Sequence, residues 1–114
     1  MTPEEIQKLR DWSAKKIGWE RVYIDGFPMW KLPQGRVDSI YWVPDTNLNQ
    51  CFMLVEKMRE KGFYLHLLSD KDGYDFTCAF VSIPKDKFSL TEAFRGQDNN
   101  PALAILKAAR ATEE

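Results

Sequence analysis

Histidine, cysteine and a surplus of either charge are scarce in this chain, and each shortage removes a class of chemistry. One His and two Cys among 114 residues leave little material for a metal centre or for thiol catalysis. Sixteen Lys plus Arg face seventeen Asp plus Glu, a net charge of -1, so the basic excess that draws a protein to nucleic acid is missing. Both signs are spread evenly along the chain, which argues against steering toward an anionic membrane. Long apolar runs are absent too: Cys51 to Val55 falls far short of the ~20 residues a membrane helix needs. The first twelve residues, MTPEEIQKLRDW, lack a signal peptide's apolar core, so a cytoplasmic protein is expected.

What is present is aromatic and apolar. Hydrophobic residues make up 44% and aromatic residues 13%, the composition of a folded domain with its own core. A chain of this length is expected to form one domain, residues 1–114. Thr2, Pro3 and Glu5 form a capping box, and Ile6, Leu9, Ser13 and Ile17 share one face of the helix it starts, with Trp12 at the edge. Gly18 supplies the stop. Trp19 to Val43 reads as extended, with Asp25-Gly26 as a turn, Pro28 excluding any helix, and strands at 20–24, 29–32 and 37–43.

Pro44-Asp45 opens a second helix with Asp45 as its cap, and Leu48, Cys51, Phe52, Val55 and Met58 make its core-facing stripe. Residues 63–69 and 74–83 form the strongest hairpin pattern, apolar on both faces and therefore expected in a sheet covered on both sides. Residues 85–99 read mostly as loop, with a brief strand at 88–90. Asn100-Pro101 starts a last helix whose inner face is Ala102, Ile105, Leu106 and Ala109. Cys51 and Cys78 both fall within apolar patterns, as reduced core residues do.

Three strings in this order carry a family likeness: Trp42-Val-Pro-Asp45 leading into LVEKMREKGF (54–63), the hairpin YDFTCAFVSI (74–83), and NPALAILKAARA (100–111). Together they resemble the phage ABA-sandwich domain, a small layered protein of bacteriophages and prophages. The likeness covers residues 41–111 well and the N-terminal third loosely. It implies an α-β-α sandwich, α+β in class, with a mainly antiparallel sheet of about four strands and three helices. It implies a phage setting in the host cytoplasm, and brings no reaction or catalytic residue. Family members often carry a Cys-Arg pair where this chain has Leu106-Lys107, so no role of that pair is transferred.

Candidate sites are few. Asp70-Lys71-Asp72-Gly73-Tyr74-Asp75 suggests a calcium loop, yet its fifth position is Tyr74, its glycine falls at four and its twelfth is Val81. Turn chemistry explains it. His66 would serve as a general base only if a carboxylate such as Asp75 on the paired strand approached it. No Gly-x-Ser-x-Gly elbow or phosphate-cradling glycine loop is present.

The four Trp all lie within the first 42 residues. They either fill a core beneath irregular strands or form a binding surface made of Trp19, Arg21, Tyr23, Trp30, Lys31, Arg36 and Trp42, suited to a nucleotide-like anion. Met53, on the polar side of the second helix, and Leu54 at the stripe's margin form a candidate interface.

The expected activity is therefore non-catalytic, with no cofactor and no metal: a phage-encoded accessory protein that binds a host or phage protein, host-defence antagonism being one such role. The alternatives are a small-ligand binder using the N-terminal third, and a small enzyme using His66 and a carboxylate. Self-association is left open.

Overall fold

The computed structural model describes residues 1–69, 75–82 and 92–113. Their elements run α1 (Pro3–Lys16), β1 (Glu20–Ile24), β2 (Phe27–Lys31), β3 (Val37–Asp38), α2 (Leu48–Glu60), β4 (Phe63–Ser69), β5 (Phe76–Ser82), β6 (Glu92–Asp98) and α3 (Pro101–Ala111). The class is α+β, with three helices. Where one sheet of about four strands is expected, the strands divide into two antiparallel sheets of three, β1-β2-β3 and β4-β5-β6. Contacts gather the chain into two compact units, Met1–Val43 and Pro44–Glu114.

In the N-terminal unit, Thr2 Oγ1 accepts the Glu5 N–H, and Pro3 occupies the first helical turn, as the sequence requires. Gly18, at φ +90°, ends α1. Asp25 and Gly26 both take positive φ, the type I′ geometry that matches the twist of a two-residue hairpin. Pro28, which excludes a helix here, lies within β2 opposite Tyr23, so the strand begins two residues before the expected Met29. β3 pairs with β2 only at residues 30 and 31, so the missing N–H of Pro28 interrupts no bond on that side. The expected strand 37–43 stops at Asp38, whose carboxylate accepts the Ser39 N–H and so draws the backbone out of the ladder.

In the C-terminal unit, α2 and α3 pack on one face of β4-β5-β6. Their buried residues are Cys51, Leu54 and Met58 on α2 and six residues of α3 from Ala102 to Ala109. Cys78 and Phe80 of β5 are fully buried beneath them. β6 approaches α3 so closely that a Cβ on Gly96 would lie 2.5 Å from the Ala104 oxygen and the Ala108 nitrogen. The small residues Ala104 and Ala108 make that approach possible.

Several expectations change here. Asn47, not Asp45, caps α2 by accepting the Gln50 N–H; Asp45 is buried and its carbonyl accepts from Asn100 Nδ2. The α2 stripe is rotated: Leu54 is core, whereas Leu48 and Phe52 are exposed. Residues 92–98, read as loop, form β6, while 88–90 lie outside the described residues. Where a sheet covered on both faces is expected, Tyr64, His66 and Leu68 on one face of β4 are exposed among the described residues.

Candidate functional site

α1 and the β1–β2 hairpin place the candidate residues of the N-terminal unit. Antiparallel register sets Arg21 opposite Trp30 and Tyr23 opposite Pro28, so these four share one face. Lys31, opposite Glu20, stands one residue further along and projects from the other face. Arg36 is held by an ion pair with Asp38. The seven residues nominated as a surface are therefore not one surface.

Three of the four indoles are core, and Trp12 is half-buried. Trp19, Trp30 and Trp42 are only 5–7% exposed. Trp19 packs against Trp42 with ring centroids 4.8 Å apart and against Trp30 at 6.1 Å, both tilted. The Trp42 indole N–H donates to Ser13 Oγ at 3.0 Å and to the Arg10 carbonyl at 3.1 Å. Rings engaged in this way offer no open face for a base to stack on, which corrects the nucleotide-stacking surface. Trp30 is covered in addition by Arg21, whose guanidinium carbon lies 3.9 Å from the ring centroid.

A cleft of about 620 Å³ opens beside this stack. Gln7, Asp11 and Lys15, one row along α1, form one wall; Glu20, Arg21, Tyr23, Pro28 and Trp30 form the other. Asp11 accepts a hydrogen bond from Gln7 Nε2 at 3.0 Å rather than pairing with Lys15 as helix spacing suggests. A smaller cleft of about 330 Å³ shares Gln7, Arg21, Pro28 and Trp30, and continues toward Ser39, Tyr41 and Trp42. Two carboxylates and two cations line the larger cleft, so its charge is balanced and it is not an anion trap.

The row Gln7, Asp11, Lys15 lies outside the seven candidate residues, and its i, i+4, i+8 spacing on the polar face of α1 is the sequence signal that marks it.

The hairpin tip beyond the cleft is open. Tyr23 and Phe27 are each 70% exposed, and Ile24, paired with Phe27, is 48% exposed.

In the C-terminal unit, Met53 is exposed but Leu54 is fully buried, so Leu54 cannot serve an interface. His66 lies opposite Ala79, which in turn lies opposite Arg95. Asp75 precedes β5, four residues from Ala79, which at strand rise is about 13 Å along the chain. The register does not bring that carboxylate to the imidazole. Residues 70–74 of the calcium-like string lie outside the described residues.

Both cysteines are free and buried. Burial, with the Asp45 carboxylate adding to it, pushes the Cys51 thiol up to about 12; burial, with Cys51 adding, pushes Cys78 up to about 12. Neither thiol is poised for nucleophilic work. Among the described residues, no group of three or more His, Cys, Asp or Glu is placed to hold a metal ion, and no helix is long and apolar enough to cross a membrane. No protein-family profile, curated protein or solved structure matches the chain.

Proposed function

We propose that this protein acts by binding another protein, without catalysis, and that the β1–β2 hairpin is the surface it presents. The observation that supports this reading is the exposed trio Tyr23, Ile24 and Phe27 on a hairpin pre-shaped by a two-residue turn. Large apolar and aromatic side chains left in water on a rigid support are what interfaces use for their central contacts. A tight turn also means that little conformational entropy is lost when a partner docks. The phage likeness over residues 41–111 supports an accessory role in the host cytoplasm, binding a host or phage protein, with host-defence antagonism as one form of that role. The balanced charge of the cleft makes a nucleotide-like anion the weaker reading, and the position of Asp75 gives an enzyme centred on His66 no partner carboxylate from that strand.

The test is affinity capture from a bacterial lysate with the wild type and an Ile24→Ser/Phe27→Ser variant, matched by circular dichroism. A partner should be retained by the wild type and weakened about tenfold or more by the variant, the scale of an interface anchor. Equal retention, or no reproducible partner, overturns the reading.

A further inference from the structure

The two edges of the N-terminal sheet are not alike. β3 is two residues long and is flanked by the Arg36–Asp38 ion pair, both of which blunt an edge. β1 is five residues long, contains no proline and pairs in unbroken register along its whole length with β2 alone.

The register also says which backbone groups face outward. A two-residue hairpin makes Ile24 and Phe27 the pair that exchanges hydrogen bonds, and alternation then assigns Val22 and Glu20 to the same role. Arg21 and Tyr23 fall in the other class, so their N–H and C=O groups point away from β2, out of the sheet. Pro28 fixes this parity independently: it has no N–H to exchange, and it lies opposite Tyr23.

Glu20, Arg21 and Tyr23 of β1 all line the larger cleft, and Arg21 lines the smaller one as well. Unused main-chain donors and acceptors thus coincide with a cleft walled by α1. Among the described residues, Arg21 makes no ion pair; its guanidinium rests on Trp30.

We propose that this edge takes an extended segment of a partner protein as a fourth strand beside β1. The inference rests on the reading that the protein acts by binding a protein, and names how. The main chain of the added strand bonds to Arg21 and Tyr23, giving affinity that is independent of sequence. Its side chains on the cleft face give specificity: an acidic residue beside Arg21, a local pairing in a cleft whose Asp11 and Glu20 balance its two cations overall, and an apolar one beside Tyr23, two positions apart.

The test uses the full chain and two libraries of short synthetic peptides. In one, an acidic residue and Leu, Phe or Tyr are fixed two positions apart; in its twin, Lys replaces the acid. Amide chemical shifts should move at Arg21 and Tyr23, with the acidic library binding about tenfold tighter, and Arg21→Glu should invert that preference. Tyr23→Pro removes an outward N–H without touching the ladder to β2, and should bind about tenfold more weakly than Tyr23→Val. Shifts confined to Ile24 and Phe27, no shifts at all, or equal binding by the Pro and Val variants overturns strand addition. A partner lost with the Ile24→Ser/Phe27→Ser variant but retained with Tyr23→Pro leaves the protein-binding reading standing and removes only this one. Should Tyr23→Pro unfold, the Arg21→Glu inversion decides.

Discussion

Ser13 lies fully buried on α1, where a hydroxyl needs a reason to be. It donates to the Arg10 carbonyl at 2.8 Å and accepts from the Trp42 indole N–H, so each polar group at this point is satisfied. Trp42→Phe removes the donor and leaves space beneath α1. It should destabilise the protein by about 2 kcal/mol, measured by urea unfolding followed by circular dichroism. A variant within about 0.5 kcal/mol of wild type would show that the bond contributes nothing net. The cysteines permit a second prediction at this scale. With thiols raised to about 12 by burial, Cys51 and Cys78 should resist alkylation in the native protein and both react once denatured. Native reaction at wild-type stability would contradict their burial.

Between elements, the tightest constraint is where β6 meets α3. Gly96→Ala places a methyl group against helix backbone, which no side-chain rotation relieves, and should cost about 1–3 kcal/mol by thermal unfolding. At the end of the same strand, burial pulls Asp98 upward. Hydrogen bonds from Lys107 Nζ and the Asn100 N–H more than offset it and hold the carboxyl below its ordinary 3.8. A depressed folded value means this contribution is present above the unfolded value and is lost as pH falls below about 3.8 through the folded one. Asp98→Asn should therefore flatten the acid limb of the stability–pH curve, and an unchanged limb would exclude the linkage.

The same elements show how far a sequence can be read. Thr2, Gly18, Asn100 and the 63–82 hairpin act through local rules, and each is found where those rules place it. β6 is different: its inward positions are Phe94, Gly96 and Asp98, so the alternation that marks a strand is almost erased. Gly96 looks like a turn residue, yet it is needed for a helix that follows it in the chain. The proposed surface is legible in the sequence as composition only. The crowding of Trp in the first third is real, but packing of Trp19, Trp30 and Trp42 on one another, not composition, buries those rings, while Tyr23 and Phe27 stay outside.

Over the whole molecule, opposite charges nearly cancel and neither half carries an excess, so association cannot lean on a long-range field. The chain should pass unretained through heparin or phosphocellulose at about 0.15 M salt, and retention would reopen the case for a nucleic-acid partner. The two compact units also divide the chemistry unequally. All four Trp lie in Met1–Val43, and both cysteines lie in Pro44–Glu114. Unlabelled protein consequently carries two orthogonal reporters: indole fluorescence answers only for the N-terminal unit, and thiol labelling only for the C-terminal one. Followed in parallel through one denaturation, they would reveal directly whether the two halves melt together or in turn.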